Sequence, residues 1–315
     1  YKGADILLKS FYQSQGIYES DSKVYLKEIQ EYSDKYIANT VGFNTAYSDY
    51  PAFLMGEELY VISASSNAKK TPWNKEPTSD IFKLDGNSLT NLGNQINTKF
   101  NEGSLVITKD SKTMFFTRND YNDKKKGADS NKTMLLKLYV AKHINGKWGN
   151  VQELPFNTSE YSAGHPALSP DGSKLYFVSD MPGNSGKGGT DIYEVDLYED
   201  GTFGAAFNMV GFNTPGNEMF PYVAEDGTFY FASNGFVANL GGLDLYSSST
   251  DKDGVFGKVV NLGAPINSAM DDFAMVMNST TKKGYLASNR SGAKSDDIYS
   301  FVLNEDFIEP CDVVY

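Results

Sequence analysis

A pattern that recurs five times along the chain is the feature that most limits how this sequence can fold. Each copy contains an aromatic-rich, strand-like segment that ends in a small hydroxyl residue: Ser63, Thr117, Ser179, Ser233 and Ser288. Successive copies of this residue are 54, 62, 54 and 55 positions apart. A period of this length is typical of a repeat fold in which each unit is one small element of supersecondary structure.

Two further marks keep the same spacing. The first is a triplet that opens the following strand, with Asp-Ile-Tyr as its fullest form, at 80–82, 137–139, 191–193, 244–246 and 297–299. The second is an Asn-Thr or Asn-Ser pair, at 44–45, 97–98, 157–158, 213–214 and 267–268. Three independent marks in one register predict five equivalent structural units.

The third copy shows the unit in full, with strand-like segments at 165–169, 174–179, 190–197 and 203–210. Four antiparallel strands form a twisted sheet that cannot bury both of its faces alone. Radial stacking around an axis covers those faces, which predicts an all-β, five-bladed β-propeller with four-stranded antiparallel blades. Because the fifth copy has no fourth strand of its own, we predict that residues near 36–42 pair with 297–303 and close the ring.

Helical periodicity is confined to the first part of the chain. The predicted organisation is a short α-helical segment at 1–35, the propeller at 36–307 and an exit segment at 308–315. Amphipathic helices without a core of their own need a surface to lie against. They are either the end of an α-solenoid or a cap on the propeller, and we expect the chain to be a piece of a longer protein.

The charge of the chain argues against two classes of partner. The formal net charge is -12, whereas nucleic acids and anionic membrane surfaces attract proteins that carry excess lysine and arginine. No apolar run of about 18 residues occurs, so direct membrane insertion is not expected either. The single cysteine, Cys311, excludes an internal disulfide and a multi-cysteine metal site.

Sequence patterns for catalysis, metal binding or cofactor binding are not found. His143 and His165 are the only histidines, and no Gly-x-Ser-x-Gly element accompanies them. The segment 251–254 begins like a calcium loop but lacks the third ligand and the terminal glutamate. We therefore expect a non-enzymatic protein without a metal or cofactor, with an ion held by glycine- and aspartate-rich loops as the alternative.

A propeller without catalytic residues is most often a docking platform. The residues that enter the innermost strands are predicted to ring one mouth of the central channel. Counting back one residue from the strand prolines Pro51, Pro166 and Pro221, and taking the equivalent positions in the two copies without proline, gives Tyr50, His165, Phe220, Gly103 and Phe273. Exposed aromatic side chains at a mouth would favour the binding of a protein or peptide partner. The alternative is that these side chains only fill the channel.

The motifs Ser169–Gly172, Tyr176–Phe177 and Asp191–Tyr193 resemble the TolB-like (WD40-like) propeller repeat, which the other copies match in part. The whole chain is similar to the middle of OmpA-family envelope proteins of Bacteroidetes, which are associated with type IX secretion and gliding motility. In that family tetratricopeptide (TPR) helices precede the propeller and a peptidoglycan-binding domain follows it. The resemblance implies a periplasmic, outer-membrane-associated scaffold. Its partners would be an envelope or outer-membrane protein and, through a domain absent from this sequence, peptidoglycan. A carbohydrate-binding propeller is the alternative, because stacked aromatic rings and carboxylates also suit sugars.

Overall fold

The structure, a computed structural model, describes residues 26–307 except 28, 65–69, 71–74, 123–124, 183–188, 253 and 293–294. Within that part of the chain the sheets are five four-stranded antiparallel blades and one two-stranded hairpin. The predicted five-bladed all-β propeller is therefore confirmed. Most of the predicted helical segment, residues 1–25, and the exit segment 308–315 lie outside the described residues.

The strands of each blade follow one another from the central channel outwards. Blade 1 consists of β2 (Asp49–Met55), β3 (Glu58–Ser63), β4 (Asp80–Asp85) and β5 (Ser88–Asn91). Blade 2 consists of β6 (Glu102–Ile107), β7 (Thr113–Asn119), β10 (Leu136–Ile144) and β11 (Lys147–Glu153), with the hairpin β8 (Tyr121–Asn122) and β9 (Lys125–Lys126) between its second and third strands. The extra length of the second repeat thus lies in this hairpin.

The remaining blades have the same order. Blade 3 consists of β12 (Ala163–Leu168), β13 (Lys174–Ser179), β14 (Asp191–Asp196) and β15 (Phe207–Asn208). Blade 4 consists of β16 (Glu218–Val223), β17 (Phe229–Ser233), β18 (Asp244–Ser248) and β19 (Val260–Asn261). Blade 5 consists of β20 (Asp272–Asn278), β21 (Lys283–Ser288), β22 (Asp297–Leu303) and, as its outermost strand, β1 (Tyr36–Thr40).

The first strand of the chain closes the ring. β1 pairs antiparallel with β22, so that Tyr36 lies opposite Leu303 and Thr40 lies opposite Tyr299, which confirms the predicted closure. The helical residues 26–27 and 29–32 precede β1, and the N–H of Asp34 donates a hydrogen bond to the Ala264 carbonyl in the connection between blades 4 and 5. The described end of the helical segment therefore lies on the propeller. The solenoid and cap alternatives concern residues outside the described part.

Apolar clusters fill the spaces between neighbouring blades, one cluster for each of the five junctions. Successive residues of one strand serve different junctions, because side chains alternate between the faces of a sheet. Val61 packs with Val276 between blades 5 and 1, whereas its neighbour Ile62 packs with Phe116 between blades 1 and 2. Both faces of each sheet are covered by its neighbours, which is the burial that the repeat pattern required.

The asparagine of each Asn-Thr or Asn-Ser mark holds the connection between two blades. The Asn213 side chain donates to the Ile192 carbonyl at 2.9 Å and accepts from the Ile192 N–H at 2.8 Å. The same two bonds join Asn97 to Ile81, Asn157 to Leu138, Asn267 to Leu245 and Asn44 to Ile298. Each asparagine therefore satisfies a third-strand residue of the preceding blade, and the last pair crosses the ring closure.

Candidate binding site in the central channel

The innermost strands line the channel, and each is interrupted by a bulge where its pairing with the second strand shifts. In blades 3, 4 and 5 the first residue of the bulge has a left-handed φ: 50° at His165, 51° at Phe220 and 52° at Ala274. Non-glycine residues rarely adopt this conformation, and bulges of this kind turn side chains in new directions. The bulges therefore decide which side chains enter the channel.

The five residues predicted to ring a mouth come together, but they do not lie at the same level, that is, at the same height along the channel axis. Gly103, His165 and Phe220 are the first unpaired residues of their bulges. Tyr50 and Phe273 lie before the bulge and still pair with the second strand. The prolines used to align the repeats cause the difference. In blades 3 and 4 the proline is the second bulge residue, whereas in blade 1 the proline is still paired.

The side chains at these positions fill the channel. The Phe220 ring lies 3.9 Å from the His165 ring in a nearly parallel stack, 4.9 Å from the Phe273 ring and 5.9 Å from the Tyr50 ring, measured between centroids. Gly103 lies beside this cluster: a Cβ there would be 3.7 Å from the Tyr50 hydroxyl, an ordinary contact distance, and 3.2 Å from the Thr117 Cβ. We call Tyr50, His165, Phe220 and Phe273 the aromatic plug. These contacts favour the channel-filling alternative, and a role in partner binding stays a prediction.

The polar groups of the plug are uncharged at neutral pH. The His165 Nδ1 accepts a hydrogen bond from the Phe220 N–H at 3.3 Å, so in the neutral ring Nε2 carries the hydrogen. Burial lowers the pKa of His165 to about 4, and burial also raises the pKa of Tyr50. A histidine with such a pKa is a weak base at pH 7, and the plug has the character of a packed core.

Beyond the plug the channel widens into a cavity with a volume of about 630 Å³. His165 and Phe220 form its floor, and the inner strands of all five blades form its wall. The rim consists of turns that follow the inner strands, including residues 108–110, 169–172 and 278–280. The cavity therefore opens at the end opposite to the predicted mouth, and its size is within the range of ligand-binding pockets.

The wall of the cavity combines apolar side chains with polar groups that have spare hydrogen-bonding capacity. Leu54, Leu168 and Val276 lie among the apolar residues of the wall. Each inner strand pairs on one side only, so its other edge presents backbone N–H and C=O groups to the channel. The buried Oγ of Ser104 has no hydrogen-bond partner among the described residues. Such a wall suits a short peptide segment, which needs both backbone hydrogen bonds and apolar contacts.

An ion pair crosses the rim. The Lys109 ammonium lies 3.0 Å from the Glu225 carboxylate, and these residues belong to blades 2 and 4, which are not neighbours in the ring. Both side chains are exposed, and pairs of this kind contribute at most about 1 kcal/mol, so a ligand can displace the contact. Asp171 is held in its turn by hydrogen bonds from Ser169 and Ser173, which lower its pKa to about 2.

Behind the plug, four of the five inner strands begin with a buried carboxyl residue: Asp49, Glu102, Glu218 and Asp272. Each accepts a hydrogen bond from the backbone N–H of the threonine or serine four positions earlier. These four residues were not among the predicted site residues. An acidic residue four positions after the Asn-Thr or Asn-Ser mark is the signal that would have found them.

These carboxyl groups lie near the aspartates that open the third strands of the preceding blades. Burial raises the pKa of Glu102, which interacts with Asp80, to about 8. Burial likewise raises the pKa of Asp244, which lies near Asp272, to about 7. Carboxyl groups that are buried close together cannot all ionise at low cost, so such a pair retains a proton near neutral pH.

The junction between blades 2 and 3 replaces both acids. Lys137 takes the place of the third-strand aspartate, and Ala163 begins the next inner strand. The Lys137 ammonium donates hydrogen bonds to the carbonyls of Thr158 and Tyr161. The two positions therefore differ together, which is expected for groups that share one buried environment.

Among the residues that the structure describes, no group of three or more His, Cys, Asp or Glu side chains is placed to hold a metal ion. No helix in the described ranges is long and apolar enough to cross a membrane.

No family model matches the sequence, and no curated protein matches it. A thermostable family-43 glycoside hydrolase covers 86% of this chain and 94% of its own length, with a TM-score of 0.52 and 13% identity. The TolB structure from Agrobacterium tumefaciens covers 78% of this chain and 71% of its own, with a TM-score of 0.46 and 14% identity. A puromycin-hydrolyzing peptidase from Mycobacterium tuberculosis covers 76% of this chain, which spans 32% of that peptidase, with a TM-score of 0.40 and 16% identity. At these identities likeness bears on the fold alone: the chain is a five-bladed β-propeller with a TolB structure among its neighbours.

Proposed function

We propose that this chain is a non-enzymatic protein-interaction module whose central cavity receives a short segment of a partner protein. The observation that carries the proposal is the cavity of about 630 Å³, which is closed at one end by the aromatic plug and open at the other. A one-ended cavity with free strand edges gives an inserted segment both an apolar wall and backbone hydrogen bonds. A chain terminus or a narrow loop fits such a shape.

The titratable groups around the cavity support binding rather than catalysis. Asp171 is held by its own turn, and Glu225 pairs with Lys109 across the rim. His165 is neutral and its Nδ1 is occupied by the Phe220 N–H. A general acid or base needs a pKa near the working pH and a free path to the substrate, and these groups have structural tasks instead. Because acidic groups predominate at the rim, we expect partner segments with apolar residues and net positive charge.

We further propose that the chain acts in the periplasm. The resemblance of Ser169–Tyr193 to the TolB-like repeat, and of the chain to OmpA-family envelope proteins, supports a periplasmic scaffold. Within that family the chain resembles PorE, a component associated with type IX secretion. In this proposal the propeller binds an outer-membrane or secretion component, and a separate domain ties the assembly to peptidoglycan.

A random peptide library displayed on phage tests the role of the cavity. The decisive pair of variants is Thr280→Trp and Thr281→Trp, because Thr280 lies on the rim whereas the adjacent Thr281 is exposed outside the cavity. Selected peptides should bind the wild type and Thr281→Trp equally. They should bind Thr280→Trp at least about tenfold more weakly, since the indole obstructs the entrance.

Three results would speak against this function. Peptides that bind both variants equally would place the site elsewhere on the propeller. A library that yields no binder would contradict the cavity as a peptide site. Turnover of glycosidase or peptidase substrates by the purified chain, lost in Thr280→Trp, would show that the cavity is catalytic.

A second function, carbohydrate binding, is favoured by a different surface between blades 1 and 2.

A further inference from the structure

A groove between blades 1 and 2 has a volume of about 730 Å³. It lies beside the central cavity and shares only Met55 and Ile107 with the lining of that cavity. Its lining comes from the four strands of blade 1, the turn at 91–95, Ile107 and Ser111 of blade 2, and the hairpin between β10 and β11. We propose that this groove binds a short oligosaccharide. Neither the predicted mouth residues nor the aromatic plug contributes to it.

An aromatic platform lies at the hairpin side of the groove. Trp148 is opposite His143 across the hairpin, and their ring centroids are 4.8 Å apart at an angle of 33°. One part of Trp148 packs against the apolar cluster between blades 1 and 2, which holds the indole in place. Its remaining surface lines the groove. Such a fixed, partly exposed aromatic ring is suited to the apolar C–H face of a sugar, because the ring provides contact area at little entropic cost.

The cross-strand contact with His143 alone would also be explained by hairpin stability. The indole N–H, however, has no acceptor among the described residues. A partly exposed indole with its N–H unoccupied at the edge of a groove offers a ligand both an apolar face and a hydrogen-bond donor. Two amide side chains of the turn at 91–95, one of which lies against Gly149 next to Trp148, make this more than a packing feature.

Asn94 and Gln95 supply those amides. Both residues are exposed and line the groove, and neither side chain has a hydrogen bond within the described part of the chain. An amide offers donors and acceptors together, which matches the paired hydroxyl groups of a sugar ring. Free amides in the same groove as an aromatic platform therefore complement the two kinds of surface that a sugar presents.

Charged groups complete the floor. The Lys83 ammonium lies 2.6 Å from the Glu58 carboxylate, and this hydrogen bond raises the pKa of Lys83. Because the pair neutralises itself, and Lys147 is the remaining Lys, Arg, Asp or Glu residue of the lining, the groove presents donors and acceptors without a strong net charge. A neutral ligand rich in hydroxyl groups suits this floor better than an anion or a polycation does.

Trisaccharides provide the test. The probes are four soluble compounds, built from β-1,4-glucose, α-1,4-glucose, β-1,4-N-acetylglucosamine and β-1,4-xylose, titrated by calorimetry. Fluorescence emission of Trp148 is followed in a Trp73→Phe background, which removes the other tryptophan of the sequence. We expect saturable binding of at least one probe, together with a shift in the Trp148 emission. The combined variant Asn94→Ala/Gln95→Ala should weaken binding by about tenfold or more because its hydrogen bonds to the sugar are lost.

Two further variants separate a binding role from a structural one. Trp148→Phe preserves an aromatic side chain in the hairpin but removes the indole N–H and part of the platform, so binding should weaken while the thermal midpoint changes little. Asn87→Ala changes an exposed asparagine in a turn of blade 1 outside the groove and should leave the affinity unchanged.

The proposal would be overturned if none of the four trisaccharides bound at about 10 mM, the weak end of specific ligand binding. It would also fail if binding were unaffected by both Trp148→Phe and the combined amide variant. A selected library peptide that lost affinity in the amide variant, with no sugar bound, would assign the groove to peptides instead. Peptide binding in the central cavity is measured with Thr280→Trp, so the two sites are tested independently.

Discussion

Replacing Glu102 by glutamine should make the stability of the propeller less dependent on pH. Glu102 is only 1% exposed. It accepts hydrogen bonds from the backbone N–H and the hydroxyl of Thr98, and it interacts with Asp80. Burial raises its pKa from the ordinary 4.5 to about 8. At neutral pH the folded protein therefore keeps a proton at this site that the unfolded chain has lost.

The sign of the effect follows from this difference in bound protons. Between pH 4.5 and 8 the unfolded state binds fewer protons at this site, so the free energy of unfolding falls as the pH rises. The contribution is complete below pH 4.5 and is lost above pH 8. At about 1.4 kcal/mol for each pKa unit, the full change amounts to about 5 kcal/mol. Glutamine mimics the protonated acid, because its one oxygen can accept from the Thr98 N–H, and its NH₂, in place of the other carboxyl oxygen, can donate to Asp80 or to the Thr98 hydroxyl oxygen.

Urea unfolding of the wild type and Glu102→Gln at pH 5, 6, 7, 8 and 9 measures the effect. The two proteins should differ by less than about 1 kcal/mol at pH 5, and the variant should be several kcal/mol more stable at pH 9. Glu199→Gln, at an exposed acid of blade 3, serves as the control and should run parallel to the wild type. Parallel curves for Glu102→Gln as well would refute the reasoning that a buried, protonated carboxyl lies at this junction.

Three other predictions concern the ring closure, a turn and the plug. Asn44→Ala removes both hydrogen bonds to Ile298 and should lower the free energy of unfolding by about 2 to 4 kcal/mol, since the Ile298 N–H and C=O lose their partners. A loss below about 0.5 kcal/mol in urea unfolding would show that these two hydrogen bonds are not needed for the ring closure. Asp171→Asn should cost less than about 1 kcal/mol at pH 6, because the turn is exposed. The difference should vanish as the pH falls towards 2, where the low pKa of Asp171 lets the wild type also lose this contribution, and an unchanged difference at pH 2 would contradict it. Phe273→Ala should lower the free energy of unfolding by about 3 to 5 kcal/mol through loss of packing. The affinity for selected peptides should stay within about threefold of the wild type, because Phe273 does not line the cavity. A larger loss of affinity at retained stability would show that the peptides bind at the predicted mouth.

Much of the fold could be predicted from the repeat itself. The small hydroxyl residues, the third-strand triplets and the Asn-Thr or Asn-Ser marks recur in one register, and each proved to be at an equivalent place in its blade. The closure by residues 36–40 could be predicted as well, because the fifth copy lacked a fourth strand and the segment before Phe43 resembled one. These features depend on local order along the chain.

The candidate site could be predicted only in part. Counting back from Pro51, Pro166 and Pro221 identified residues that contact one another in the channel, but not residues at the same position relative to the bulge. The reason is that the bulge of blade 1 contains one residue fewer. Whether an aromatic residue lines an open mouth or fills the channel depends on four other strands. The position of the open cavity, at the other end of the inner strands, could not be read from their sequence for the same reason.

The sequence by itself determined the number of blades, their strand order and the identity of the closing strand, since strand alternation and repeat length are properties of neighbouring residues. Only the tertiary structure decided that Phe220 stacks on His165, that Glu102 meets Asp80 and that Lys109 reaches Glu225. These pairs come from different blades, and the distance between them is set by the curvature of the closed ring. A change of one residue in a bulge moves a side chain between levels of the channel without altering the repeat that encodes the blade.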